Sequence, residues 1–207
     1  FLNQPSAGYF TNVKNELANR YGGHLLSDAG TNLTGSVSMT GRMFYSDTAF
    51  TITSPLTLTR GSSSTQSGAG LIIINGDLII NKNITYGAIT SGDKLIQIPS
   101  AVWIVLGDIY IHSDVTEISG AFLALGKLSS GADVACPAAG CGTIDTNPGS
   151  GAASLTINGL LMAKRILFER TYKSSAQGSE IIIYDSRIFV NPPPGVEDFV
   201  KNLPKWK

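Results

Sequence analysis

The sequence predicts a mainly β protein, a parallel β-solenoid (β-helix) with one N-terminal α-helix. Three short apolar strands each break at a Gly-centred corner and are followed at once by a second apolar strand, at Asn75-Gly76-Asp77, Leu106-Gly107-Asp108 and Asn158-Gly159. In addition, the segment from Ile118 to Leu125 aligns step for step with the segment from Ile157 to Lys164. Such repeated units are typical of coiled parallel sheets. A β-sandwich is the competing interpretation, because short strands separated by turns fit it as well.

The composition indicates one domain with a sizeable core. The chain has 207 residues, of which 43% are apolar, and its 15 basic and 15 acidic residues give a net charge of zero. Without a basic field, nucleic acid and anionic membrane surfaces are not expected as partners. Only 14% of residues are charged and Gly is abundant, which favours an extracellular β protein with many turns. We expect an extracellular or cell-surface location.

Residues 1–34 are predicted to form an N-terminal helix and cap. Ser6 is a suitable N-cap, apolar residues recur every four positions, and Gly22-Gly23 provides the stop. The apolar positions are Tyr9, Val13, Leu17 and Tyr21. Because the chain begins at Phe1 and contains no apolar stretch that would span a bilayer, we expect a processed fragment whose anchor, if one exists, lies outside this sequence.

Residues 35–190 are predicted to form the solenoid. Early β segments lie between Gly35 and Arg60, and a Ser- and Gly-rich loop follows from Gly61 to Gly70. A loop insertion at 129–153 holds almost no large apolar residues, so it is expected to protrude from one corner. The strongest predicted strands are Leu71–Asn75, Asp77–Asn81, Leu95–Ile98, Val102–Leu106, Ile109–His112, Ala121–Leu125, Leu155–Ile157, Leu160–Ala163, Ile166–Glu169, Ile181–Tyr184 and Ile188–Val190.

Several of these strands are apolar on both faces. In Val102–Leu106 the alternation places Trp103 and Val105 on one side and the other three residues on the opposite side, and neither side is polar. Something must therefore cover the outer face. The cover is either the N-terminal helix or an internal strand layer, or else a neighbouring subunit. For the second case, the predicted assembly surface consists of Val102, Trp103, Ile104, Val105, Ile181 and Ile183.

Cys136 and Cys141 bracket Pro-Ala-Ala-Gly in a loop of small residues. Four intervening residues that include Pro and Gly allow the close approach that a disulfide needs, and we predict this disulfide. Half of a zinc site is the alternative, but the two histidines are isolated from the cysteines. Asp77 and Asp108 occupy equivalent corners and are weak candidates for a shared Ca²⁺. The favoured interpretation is a turn in which each carboxylate accepts backbone N–H groups, so no metal or other cofactor is expected.

The tail at 191–207 is predicted to be a Pro-rich arm. Pro192, Pro193 and Pro194 hold the backbone extended and end the sheet ladder. Proline-rich segments can recruit partners, but a clamp over the last turn of the solenoid is the favoured interpretation.

The chain from Leu71 to Trp206, roughly two thirds of the sequence, resembles a family of uncharacterised secreted proteins of candidate-phyla bacteria. The motifs that carry the resemblance are GDL-I at Gly76–Ile79, V-GDI-I at Val105–Ile111, I-GAFLA-GK at Ile118–Lys127, INGLL-A at Ile157–Ala163 with Arg170 and Tyr172, and IIIYDSRIFVNPPPG at Ile181–Gly195. The resemblance implies a surface-exposed β-solenoid without known catalysis, often with a pilin-like anchor. A weaker similarity runs to ice-binding adhesin domains, for which Thr51-Ile52-Thr53 and Thr57-Leu58-Thr59 are the Thr-bearing segments.

No catalytic constellation stands out. Lys164, Arg165, Glu169 and Arg170 are the nearest approach to a lyase-like cluster, but their alternation with apolar residues is more typical of a solvated face. Neither histidine lies in a nucleophile–base context. We therefore expect a non-enzymatic extracellular structural protein of a surface or appendage such as a pilus, with itself as partner in a homo-oligomer or filament, or other surface proteins. The alternative is a carbohydrate-binding or adhesive, ice-binding-like module, for which glycans would be partners.

Overall fold

The computed structural model describes residues 7–26, 33–126, 140–146, 153–170 and 179–196. Within these residues the chain is mainly β, and its helices are α1 (Ala7–Tyr21), α2 (Arg187–Val190) and a 3₁₀ turn at Leu95–Gln97. The strands are β1 (Gly23–Leu25), β2 (Gly35–Ser38), β3 (Arg42–Ser46), β4 (Phe50–Ile52), β5 (Leu56–Thr59), β6 (Ala69–Ile74), β7 (Leu78–Ile80), β8 (Ile84–Tyr86), β9 (Ser100–Val105), β10 (Ile109–Ile111), β11 (Glu117–Ala124), β12 (Thr143–Asp145), β13 (Leu155–Ala163), β14 (Arg165–Leu167) and β15 (Glu180–Ile183).

The described strand pairings are all parallel and fall into three rows. Row one contains β2, β5, β8, the first part of β11, the first part of β13, and β15. Row two contains β1, β3, β6, β9 and the second parts of β11 and β13. Row three contains β4, β7, β10, β12 and β14. From β2 onward the chain visits the rows in the order one, two, three, so each pass stacks on the pass before it.

The repeated corners stack in two columns rather than in the single repeat that the sequence suggested. Gly107 lies against Gly76 where the chain passes from row two to row three, whereas Gly159 lies on Gly120 where it passes from row one to row two. Ile118 pairs with Ile157, and Gly120 pairs with Gly159. Both glycines have positive φ, 139° and 150°, a conformation that residues with a Cβ rarely adopt. This lets β11 and β13 each bend from row one into row two without interruption. The antiparallel pairing of a β-sandwich does not fit these parallel ladders.

The core lies between the three rows. On row two the inward side chains Trp103 and Phe122 are fully buried. The rings of these two residues stack with centroids 5.7 Å apart and planes inclined by 12°. Burial of such apolar side chains contributes on the order of 1.5–3 kcal/mol each. This interior therefore holds the three rows together.

A second apolar cluster covers the outside of row two. Here α1 contributes Leu17 and Ala18, and the C-terminal segment contributes Ile188 and Val196. They pack on buried residues of β3, β6, β9 and β11, namely Met43, Leu71, Ile73, Val102 and Ala121. The strands that are apolar on both faces are thus covered, along most of row two, by the chain's own helices. This is the first of the two alternatives that the sequence allowed.

Two predicted strands are helical turns. The segment predicted as strand Leu95–Ile98 forms the 3₁₀ turn, in which the Gln97 side chain accepts the Lys94 N–H and donates to the carbonyl of Gly61. The segment predicted as strand Ile188–Val190 forms α2. There the Asp185 carboxylate accepts the N–H of Arg187. In both cases local side-chain hydrogen bonds compete successfully with strand pairing.

The described part of the Pro-rich arm runs back over row two rather than over the last strands, where the clamp was predicted. The Asn191 side chain donates to the carbonyls of Ile96 and Ile98, at 2.7 Å each. Gly195 then lies against Leu17 of α1. The arm beyond residue 196, most of the insertion 129–153 and the predicted helix cap Ser6 lie outside the described residues.

Candidate assembly surface

Three strand segments end the rows on one side of the molecule. Among the described pairings β15 is bonded to β13 alone, β14 is bonded to β12 alone, and the second part of β13 is bonded to β11 alone. Each leaves one edge of backbone N–H and C=O groups without a neighbouring strand in the described part of the chain. Such an edge is a template for pairing with another strand.

The side chains at this end are apolar and exposed. Ile182, Ile183, Met162 and Phe168 have 51%, 50%, 53% and 49% of their surface accessible. Ile182 stands in register with Ile157 of β13. Ile157 is fully buried, and its strand has a neighbour on each side, β11 and β15. We call the six residues Leu160, Met162, Phe168, Ile181, Ile182 and Ile183 the open end. Their registers place them on more than one face, since Ile182 stands opposite the interior residue Ile157, whereas Leu160 and Met162 stand opposite Ala121 and Leu123 of the outer cluster on row two. Exposed apolar residues gathered at an unpaired strand edge commonly mark an interaction site.

A cleft of about 330 Å³ lies within the open end and is lined by Phe168, Ser179, Glu180 and Ile182. The Glu180 carboxylate accepts hydrogen bonds from the Thr146 hydroxyl at 2.8 Å and the Arg170 N–H at 2.9 Å, and from the Ser179 hydroxyl. Both carboxylate oxygens therefore have partners within the chain. The cleft is consequently suited to an apolar side chain more than to a cation.

Arg170, whose backbone N–H bonds to Glu180, is buried, with 5% of its surface accessible. Its guanidinium donates to four backbone carbonyls at 2.6–2.9 Å, those of His112, Val115, Thr146 and Ala153. Burial lowers its pKa, and Glu180 and Asp114 partly oppose that effect. The sequence grouped Arg170 with Lys164, Arg165 and Glu169 on a solvated face. For Arg170 that grouping is wrong, because the side chain ties three segments of backbone together.

The two corner aspartates act on backbone N–H groups. The Asp77 carboxylate accepts the N–H of Asp108 at 3.0 Å. The Asp108 carboxylate, which is 2% exposed, accepts the N–H groups of Gly142 and Thr143 at one oxygen, and the Gly140 N–H and Tyr110 hydroxyl at the other. This is the turn interpretation that the sequence favoured over a shared Ca²⁺. In the described part of the chain, no group of three or more His, Cys, Asp or Glu residues could hold a metal ion.

Cys141 is buried beside Thr143, with its Sγ 3.2 Å from the Thr143 hydroxyl. Cys136 lies outside the described residues. The disulfide between the two therefore stays a prediction.

The structure places the residues of the predicted assembly surface in three different environments. Trp103 and Val105 are fully buried in the core, so they are corrected to interior residues. Val102 and Ile104 belong to the outer cluster beneath α1 and α2. Ile181 and Ile183 of β15 are exposed. Of the six residues, only these two lie at the open end.

Four residues of the open end were not part of the predicted assembly surface, namely Leu160, Met162, Phe168 and Ile182. The available signal was position along the chain, since β15 is the last strand before the prolines and nothing in the described residues follows it in the row. The residues of such a strand are covered by a neighbouring strand on one side only, although they are apolar on both faces.

Searches against protein-family models, curated proteins and solved structures each found no match. None of the described helices has both the length and the apolar character needed to cross a membrane.

Proposed function

We propose that this chain is a β-solenoid and serves as a non-enzymatic structural protein of a cell surface or appendage, where it self-associates through the open end. The solenoid is supported by three rows of parallel strands visited in turn and by corners that stack residue on residue. Such scaffolds present extended surfaces and are stabilised by contacts between neighbouring passes. As part of this proposal, the chain is related to the secreted surface proteins of candidate-phyla bacteria that its motifs resemble.

The observation that carries the proposal is the exposure of β15. Its burial pattern leaves Ile181, Ile182 and Ile183 all exposed, although the strand carries no polar side chain after Glu180. Natural proteins commonly protect an edge strand with charges, prolines or a covering element. An apolar edge that no strand of the described residues pairs with is therefore better explained by an occupant in the functional assembly.

Light scattering and negative-stain microscopy over a range of protein concentrations test this function. We expect a defined oligomer or filament whose population rises with concentration. Ile183→Lys is expected to shift the distribution toward monomer, because it places a charge on the contact surface. Leu95→Lys is the matched control, since Leu95 is 66% exposed but belongs to the 3₁₀ turn and not to the open end. A strict monomer at every concentration contradicts the proposal.

The alternative, an adhesive module that binds glycans or ice, has one observation in its favour. Ser36, Thr57 and Thr85 stand in register on three adjacent strands of row one. The hydroxyls of Thr57 and Thr85 are 3.3 Å apart. Strands spaced about 4.8 Å apart would repeat these groups as a regular hydroxyl ladder. Binding on a glycan array or measurable thermal hysteresis, lost in Thr57→Val, would favour this function over assembly.

A further inference from the structure

We propose that the occupant of the open end is the open end of a second copy, so that two chains form a closed dimer in which their β15 strands pair antiparallel across a two-fold axis. This inference rests on the proposed function and specifies its partner and geometry. Three features of the described chain support it.

The first feature is the contrast between the two ends of the rows. At the end formed by β1, β2 and β4, the apolar residues Leu26, Leu33 and Met39 are buried, with 1%, 2% and 0% of their surface accessible. In residues 33–60 the described chain exposes no large apolar side chain. A head-to-tail stack would therefore set the open end against residues 33–60, which expose no large apolar side chain in the structure. The open end of a second copy does offer an apolar counterpart, which is the condition for an isologous contact.

The second feature is where the chain goes after β15. The backbone turns away through α2, which packs on β9, and Asn191 then holds it to the carbonyls of Ile96 and Ile98. Gly195 and Val196 reach α1 and the outer face of the early strands. The described chain that follows β15 therefore lies on the outer face of row two and does not pack on the open end.

The third feature is the charge at the two ends of β15. Antiparallel pairing centred on the isoleucines brings Glu180 of each copy near Asp185 of the other. Both carboxylates already have partners in their own chain. Glu180 accepts three hydrogen bonds, and Asp185 accepts the N–H of Arg187 and lies 3.5 Å from its guanidinium. Two carboxylates therefore meet at each end of the paired strands, and the Arg187 guanidinium beside Asp185 offsets one of the two charges, so the apolar centre can pair.

The geometry makes each contact twice, so one substitution removes two contacts per dimer. Ile182 is half-exposed in the single chain and becomes buried in the dimer. Because Ile182→Lys loses this burial, the dimer Kd is expected to rise roughly 10- to 100-fold. Leu95→Lys makes the same kind of change in the 3₁₀ turn, away from the open end. It is expected to leave the Kd within about threefold of the unmodified chain. Circular dichroism of both variants checks that they remain folded.

The decisive experiment is photo-crosslinking of the full chain with p-benzoyl-phenylalanine in place of Tyr184, which is 67% exposed and follows β15 directly. We expect one product of twice the chain mass of 21.8 kDa. Peptide mass spectrometry should place its crosslink within residues 179–185 of the second copy. This test does not depend on any destabilising substitution.

The other outcomes separate the two proposals. An intermolecular crosslink to residues 33–60, or growth beyond the dimer, would overturn the two-fold dimer while leaving self-association standing. A crosslink only within one chain, together with a strict monomer by light scattering, would overturn both.

Discussion

Replacing Asp108 by alanine tests whether the carboxylates of the Gly-Asp corners stabilise the fold by accepting backbone N–H groups. The Asp108 carboxylate is almost completely buried and accepts four hydrogen bonds, three of them from backbone N–H groups in residues 140–143. That short segment leads into β12, the fourth strand of row three. Without the carboxylate, its N–H groups lose their partners while remaining in a buried environment.

The size of the effect follows from these bonds. A hydrogen bond to a charged group contributes about 1.5–3 kcal/mol, so three N–H donors at the low end give a loss of ~4.5 kcal/mol in the free energy of unfolding. The Tyr110 hydroxyl is only partly buried, so it can turn to water and adds little. For a chain of this size that loss lowers Tm by about 9–18 °C. Asp77→Ala removes a single bond from a less buried carboxylate, and we expect a loss of only ~1–2 kcal/mol.

Urea and thermal unfolding followed by circular dichroism measure both losses. Asp108→Asn is the control for side-chain size, because it keeps the volume but offers one acceptor oxygen instead of two, and it should lie between the wild type and Asp108→Ala. Since the hydrogen bonds already occupy both oxygens, EDTA and added Ca²⁺ are expected to leave the wild-type Tm unchanged. Equal losses for Asp77→Ala and Asp108→Ala, or a fall in Tm on chelation, would refute the conclusion that Asp108 stabilises the fold through its hydrogen bonds to the backbone.

Three further predictions concern other parts of the frame. Gly159→Ala should destabilise the protein by about 3–5 kcal/mol in urea unfolding, because φ is 150° and the new Cβ would overlap a backbone oxygen of β11; Gly92→Ala, with nothing within 4 Å, should change stability by less than about 1 kcal/mol. Arg170→Met should cost about 3–5 kcal/mol in the same assay by leaving four carbonyls without their donor, and smaller losses would mean that water replaces the guanidinium. Burial, followed by the charge of Asp108, raises the pKa of Tyr110 to about 12, so absorbance at 295 nm should show it ionising above the ordinary value of about 10. Because the folded pKa is the higher one, this residue's contribution to stability is complete below pH 10 and is lost as the pH rises from 10 to 12; a Tyr110 that titrates near 10 in the folded protein would contradict its hydrogen bond to Asp108.

The sequence was sufficient to predict the corners because each corner is dictated locally. Only glycine tolerates the positive φ at Gly120 and Gly159, and the apolar strands on either side repeat in the same order. The alignment of Ile118 with Ile157 is therefore both a sequence repeat and a strand register. Parallel pairing follows, since equivalent strands of successive units run in the same direction.

The two strands that proved to be helical turns were beyond such reasoning. Leu95–Gln97 and Arg187–Val190 are short apolar runs, which periodicity alone cannot assign. Their conformation depends on hydrogen bonds of neighbouring side chains, from Gln97 and Asp185. The four carbonyls that surround Arg170 are likewise scattered along the sequence and come together only in the folded chain.

The assembly surface shows most clearly what a sequence pattern leaves open. Val102–Val105 and Ile181–Ile183 carry the same doubly apolar pattern, and the sequence assigned both to one surface. In the fold, β9 lies between β6 and β11 and beneath the helices, whereas β15 has β13 on one side and no described strand on the other. The pattern therefore reports how much cover a strand requires, and its place in the row decides whether the chain supplies that cover. For β9 the chain does so, and for β15 we infer that a second copy does.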